Sequence, residues 1–130
     1  MKFEHFALNV EDPVKVAQWW AANLGLEIVF AGNDPCHGRF LRDDSGAMMV
    51  EFYRNPPSAP APDYFKTKPL DFHVAFVSND VSSDADRLVA AGATLESISV
   101  KPGEFPQLAM LRDPWGIPVQ LAKREKPFLA

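Results

Sequence analysis

The chain has 130 residues, 47% of them hydrophobic and 23% charged, with a formal net charge of −4. That composition excludes a disordered or fibrous chain. A pI near 5.3 argues against a nucleic-acid backbone or an anionic membrane as partner. No apolar run is long enough to span a bilayer, the opening Met1-Lys2-Phe3-Glu4-His5 is not a secretory signal, and the lone Cys36 has no internal disulfide partner. The expectation is a cytoplasmic protein.

Taken in chain order, residues 2–10 are rich in apolar and aromatic side chains with partial alternation and read as a strand. Asp12-Pro13 then opens a helix, with Asp as N-cap and Pro at the first helical position. Val16, Trp19, Trp20 and Leu24 follow at helical spacing, and Gly25 ends the run. Residues 26–30, 38–42 and 47–54 read as three strands. Five prolines between Pro56 and Pro69 make residues 55–69 an extended, semi-rigid connector. Beyond it, residues 70–78 read as strand and 80–91 as a helix closed by Gly92. Residues 93–100, 107–112 and 117–123 read as three more strands.

The two halves match each other. Phe3-Glu4-His5-Phe6-Ala7 aligns with Asp71-Phe72-His73-Val74-Ala75, Asp12 with Asp80, Ala17 with Ala85 and Ala22 with Ala90. At nearly the same spacing, Leu41-Arg42-Asp43-Asp44-Ser45-Gly46 aligns with Leu111-Arg112-Asp113-Pro114-Trp115-Gly116, and Val50-Glu51-Phe52 with Val119-Gln120-Leu121. An ordered series of this kind indicates duplication. The expected fold is α+β, a βαβββ module used twice (residues 1–54 and 70–124), forming a curved mixed sheet around a concave cleft within one domain.

Strand parity assigns faces. Phe6, Leu8 and Val10 share one face of the first strand; Phe3, His5, Ala7 and Asn9 share the other. On the matching strand, Phe72, Val74 and Phe76 oppose His73, Ala75 and Val77. Met48, Val50 and Phe52 oppose Met49, Glu51 and Tyr53, and Ile117, Val119 and Leu121 oppose Pro118, Gln120 and Ala122. The large apolar faces should pack on the helices. The mixed faces carry His5, Glu51, His73 and Gln120, which the repeat relates in pairs, His5 to His73 and Glu51 to Gln120. If the sheets curve together, these four converge on one concave surface. Imidazole and oxygen donors suit Zn²⁺, Ni²⁺, Fe²⁺ or Mn²⁺, and a carboxylate flanked by Val50 and Phe52 is costly to bury without a partner.

The strand Glu4-His5-Phe6-Ala7-Leu8-Asn9-Val10, the helix end Trp19-Trp20…Leu24-Gly25-Leu26, the helix stop Ala91-Gly92-Ala93 and the turn Leu111-Arg112-Asp113-Pro114-Trp115-Gly116 resemble the glyoxalase / bleomycin-resistance / dioxygenase group, the vicinal oxygen chelate superfamily. The resemblance covers about residues 2–124. It implies a divalent-metal site at His5, Glu51, His73 and Gln120, one ligand from the first and fourth strand of each module. It also implies a homodimer; the connector's length permits a site within one chain or one shared between two, and the resemblance favours the shared form. Glyoxalase I enzymes resemble this donor set most, but Gln120 stands where they have a glutamate implicated as the base. An amide ligates through oxygen and cannot accept the proton, which leaves Glu51 as the candidate catalytic residue.

The function that follows is glyoxalase-like proton transfer, of lyase or isomerase type, on a small metal-chelating substrate. The alternatives are a metal-free binding protein of the bleomycin-resistance type, or a relative of the ring-cleaving dioxygenases. Tyr53 and Asn9 lie on the face of Glu51 and His5 and are candidate substrate contacts. Trp19, Trp20 and Trp115 read as packing residues, Met48 and Met49 as core and cavity lining, Arg42 and Arg112 as structural, and His37 beside Cys36 as loop.

Overall fold

A computed structural model of the chain describes residues 1–55 and 60–129. The same device starts both helices. Asp12 accepts a hydrogen bond from the Lys15 amide (3.1 Å) and caps α1 (Pro13–Leu24), whose first position is Pro13. Asp80 accepts from the Ser83 amide (3.0 Å) and caps α2 (Val81–Ala90). Each side-chain oxygen satisfies one of the amides that a helix start leaves without an intrahelical partner. Gly25, at φ 71, ends α1 in a left-handed conformation that costs glycine nothing.

The strands are β1 (His5–Asn9), β2 (Glu27–Ala31), β3 (Arg39–Arg42) and β4 (Met49–Tyr53) in the first half, and β5 (Val74–Val77), β6 (Thr94–Ser99), β7 (Gln107–Arg112) and β8 (Pro118–Lys123) in the second. Each half forms its own four-stranded mixed sheet, ordered β1-β4-β3-β2 and β5-β8-β7-β6. The first and last strands of each module run side by side and parallel, and the rest pair antiparallel. Even the irregularities repeat: the β2–β3 register shifts between Ile28 and Phe30, and the β6–β7 register between Leu95 and Ser97. The α+β, twice-βαβββ architecture is thus present. The chain divides into two compact units, Met1–Pro62 and Asp63–Ala130.

In the first unit Val16, Trp20, Leu41 and Phe52 are fully buried, and the Trp20 and Phe52 rings meet edge to face with centroids 4.9 Å apart. Trp20 is therefore a packing residue. In the second unit Leu88, Leu111, Ile117 and Val119 fill the corresponding place. Among the described residues no helix is long and apolar enough to cross a membrane.

Several strands are shorter than their sequence patterns. Ala47 belongs to the turn before β4, because its amide donates to Ser45 Oγ (3.2 Å), while Ser45 Oγ donates to Asp43 (2.7 Å). The connector is also not extended throughout. Asp63 accepts from the Phe65 amide (3.1 Å) and caps a 3₁₀ turn over Tyr64–Lys66, with Tyr64 buried. An Asp cap and a buried aromatic there outweigh the extended bias of the flanking prolines. Residues 56–59, which carry Pro56 and Pro57, lie outside the described residues.

Burial of the Trp20–Phe52 pair sets the stability of the first unit. Phe52→Ala is expected to lower the unfolding free energy by roughly 3–5 kcal/mol, read by urea denaturation. A loss under about 1 kcal/mol would contradict this packing role.

Candidate functional site

Parallel pairing of β1 with β4 sets Ala7 opposite Glu51. His5, two residues before Ala7, therefore shares a sheet face with Glu51, and its Nε2 stands 3.6 Å from Glu51 Oε2. The other ring nitrogen, Nδ1, lies 3.0 Å from the Glu4 carboxylate. Both site side chains are half-buried, at 32% and 22% exposure. An aromatic row borders them: the His5 ring meets Phe40 edge-on (5.2 Å), and Phe40 meets Phe30 in the same manner (5.9 Å).

The second unit repeats the arrangement. β5 and β8 set Ala75 opposite Gln120, so His73 and Gln120 stand in the relation of His5 and Glu51. His73 Nδ1 lies 2.7 Å from the Pro69 carbonyl oxygen. A carbonyl only accepts, so Nδ1 is the donor. Among the described residues no three His, Cys, Asp or Glu side chains cluster so as to hold a metal ion; by itself each unit offers a pair.

The donor chemistry fits a divalent metal. Each histidine has its Nδ1 engaged by an oxygen acceptor, the outer contact that fixes the tautomer and orientation of metal-bound imidazoles. Glu51 supplies a charged oxygen and Gln120 a neutral one, a mixture suited to borderline first-row ions.

Tyr53 shares the face of Glu51 and is half-buried. Asn9 is structural. Its Nδ2 donates to the Asn55 carbonyl (3.1 Å) and its Oδ1 accepts from the Asn55 amide (2.9 Å), clamping the chain that leaves β4. His37 lies in the loop before β3 and is not isolated, since its Nε2 is 2.6 Å from Asp34. Arg39 holds this loop through one guanidinium nitrogen, donating to the carbonyls of Gly32 (2.7 Å), His37 (2.9 Å) and Gly38 (3.2 Å). A Cβ on Gly38 would come within 3.6 Å of Glu51 Oε1, so the pinned loop borders the carboxylate. Arg39 has no counterpart under the repeat, where Ala109 stands, and strand parity gives it no signal.

Arg112, by contrast, is visible in the repeated turn. Its Nε donates to Glu96 (2.6 Å), and its terminal nitrogens donate to the carbonyls of Tyr64 (2.8 Å), Gly116 (3.1 Å) and Thr67 (2.8 Å). It therefore straps residues 64–67 onto the second sheet, and that strap leads to the Pro69 carbonyl that fixes His73. In the first unit, Arg42 makes the same cross-strand pair, with Nε 2.8 Å from Glu27, but among the described residues no strap crosses it.

A family model described as a glyoxalase-like domain matches residues 5–122, and the chain belongs to that family. Among curated protein sequences none matches the chain. Among solved structures, a glyoxalase family protein from Bacillus cereus superposes with a TM-score of 0.73 at 18% identity, covering 95% of this chain and 93% of that one. An antibiotic-binding protein from a Streptomyces species has a TM-score of 0.72 at 16% identity, covering 96% and 97%. A superfamily member from Sphaerobacter thermophilus has a TM-score of 0.66 at 14% identity, covering 94% and 96%. These likenesses establish a shared fold.

Arg112→Ala leaves three carbonyls and Glu96 without their donor, so it is expected to cost roughly 2–5 kcal/mol. Arg42→Ala removes only an exposed ion pair and should cost about 1 kcal/mol or less. Chemical denaturation of both variants checks the difference; equal losses would contradict the strap.

Proposed function

We propose that this glyoxalase-like protein is a divalent-metal-dependent enzyme that moves a proton on a small, metal-chelating substrate. His5, Glu51, His73 and Gln120 are the ligands, and Glu51 carries the proton. The observation that supports this reading is the repeated register: Ala7 faces Glu51 and Ala75 faces Gln120, so each module presents a histidine and an oxygen donor in equivalent positions. Two such pairs, from one chain or from two, complete a four-ligand centre, and a homodimer of exchanged modules would supply them.

A bound divalent ion there would supply Lewis-acid stabilisation of a developing enolate. The chain's own residues supply the rest. Glu51 is the only carboxylate among the four, and an oxygen of it not committed to the metal is free to accept the proton. Gln120 holds its position through its amide oxygen but transfers no proton. Phe30 and Phe40 give the site an apolar flank that keeps water from one side of the carboxylate, and Tyr53 contacts the substrate. Asn9 acts at one remove, by holding Asn55.

A second reading is a metal-free binding protein. The aromatic row Phe30–Phe40–His5 favours it, since such a row accepts a flat apolar ligand. A fold shared with an antibiotic-binding protein is consistent with it.

Thermal melts of protein purified without a metal-chelating column separate the two. A divalent ion at roughly a hundredfold excess over its Kd should stabilise the fold by about 2.7 kcal/mol, and Glu51→Ala, which removes one of four ligands, should cut the shift to about 1.4 kcal/mol or less. No response to Zn²⁺, Ni²⁺, Fe²⁺ or Mn²⁺, with stabilisation by a planar aromatic ligand instead, would establish the second reading. On the hemithioacetal of glutathione and methylglyoxal, wild-type turnover should be weak and Gln120→Glu should raise it. Robust wild-type turnover abolished by Gln120→Glu would overturn the assignment of the base.

A further inference from the structure

The second module holds its histidine by a route that begins on another strand. Arg112 lies on β7 and is 7% exposed. It donates through Nη1 to the Tyr64 carbonyl (2.8 Å) and through Nη2 to the Thr67 carbonyl (2.8 Å). Its Nε donates to Glu96 (2.6 Å), which fixes the plane of the guanidinium. Gly116 completes the seat. At φ +91 and without a side chain, it lets the Phe65 backbone come so near that a Cβ would lie 2.6 Å from the Phe65 amide nitrogen.

The chain from Thr67 to His73 is short and stiff. Pro69 fixes its own φ and narrows the choices open to Lys68. The Asp71 amide donates to the Lys68 carbonyl (2.9 Å), closing a turn with Pro69 at its second position. The Phe72 amide donates to the same carbonyl (3.3 Å). That turn leaves the Pro69 carbonyl to accept from His73 Nδ1 at 2.7 Å. In a neutral imidazole, a donor Nδ1 leaves the lone pair on Nε2. The nitrogen that His73 offers is thus set by a carbonyl. That carbonyl is set in turn by an arginine whose own hydrogen bonds go to Glu96 and to the carbonyls of Tyr64, Thr67 and Gly116.

We propose that Arg112 is a positioning residue for His73. Acting through Thr67 and the Pro69 turn, it holds the imidazole in the Nδ1–H form, with Nε2 presented. The inference deepens the reading of His73 as a metal ligand and rests on it for metal affinity alone. Loss of the outer partner of a metal-bound imidazole costs about ten- to hundredfold in affinity. Here that partner is a backbone atom, so its placement depends on what holds the backbone.

The test uses the full chain, isotopically labelled and free of metal, at about pH 8.5, well above the ordinary imidazole range. Correlations between ring nitrogens and carbon-bound ring protons read the His73 tautomer, with His5 as the reference in the same spectrum. Zn²⁺ affinity is read separately, by competition with a coloured chelator. Arg112→Lys keeps the charge but loses the planar fork that serves Glu96 and the carbonyls together. Pro69→Gly loosens the turn itself and stays informative if the arginine variant does not fold. Leu88→Ala is the control, because Leu88 is buried on α2 and its truncation costs roughly 2–5 kcal/mol elsewhere in the same unit. Arg112→Lys and Pro69→Gly are each expected to give mixed tautomers at His73 with His5 unmoved, and Zn²⁺ binding weakened about tenfold. Leu88→Ala should change neither readout. A single Nδ1–H tautomer with unchanged affinity in either variant, or an equal response in Leu88→Ala, would overturn the proposal. A wild type that binds no Zn²⁺, with a tautomer that still responds to Arg112→Lys, would contradict the metal reading of His73 and uphold the positioning of its ring.

Discussion

In each module the parallel pairing of first strand with last brings together residues from opposite ends of the module. β1 lies against β4, and β5 against β8. Parallel neighbours cannot be joined by a tight turn, so the helix and the outer hairpin must fit into the connection between them. That constraint explains the helix after the first strand and the two outer strands. It is also why a histidine near the start of the module meets a donor near its end. His5 and Glu51 are 3.6 Å apart because Ala7 faces Glu51. A one-residue slip would turn Glu51 into the core occupied by Val50 and Phe52.

Duplication gives two copies of this frame, and they have diverged in instructive ways. The residue that shares a face with the histidine is a carboxylate in one module and an amide in the other. The histidines are oriented differently too. His5 leans on Glu4, an exposed carboxylate, whereas His73 is bound to the Pro69 carbonyl. The latter sits at the end of a strap held by a buried guanidinium, so the second module's imidazole is the more rigidly placed. Arg42 and Arg112 show how one inherited contact, arginine to a cross-strand glutamate, becomes a buried clamp in one place and an open surface in the other.

Much of the frame is legible in the sequence because it rests on local chemistry. Asp12-Pro13 and Asp80 cap helices for reasons visible in a few residues. Alternation around Glu51 and Gln120 fixes their faces, and the repeat by itself pairs the histidines. What is not legible depends on long-range contacts. The turn at residues 64–66 is stabilised by Asp63 locally, but it is held by Arg112 from a distant strand. Arg39 closes its loop through three carbonyls that no spacing rule would nominate. The contacts of the Asn9 amide with Asn55 are of the same kind, since only the β1–β4 pairing brings Asn55 near.

The central claim is that the two histidine–oxygen pairs are halves of one metal centre. The most direct measurement is the number of divalent ions bound per chain in the wild type, His5→Ala and His73→Ala, by elemental analysis after dialysis against a fixed free-metal level. Halves of one centre predict one ion per chain in the wild type and a fall of about tenfold or more in each variant, since each removes one of four ligands. Half the metal retained in either variant would mean that each module binds its own ion, and full retention in both would remove the histidines from the site.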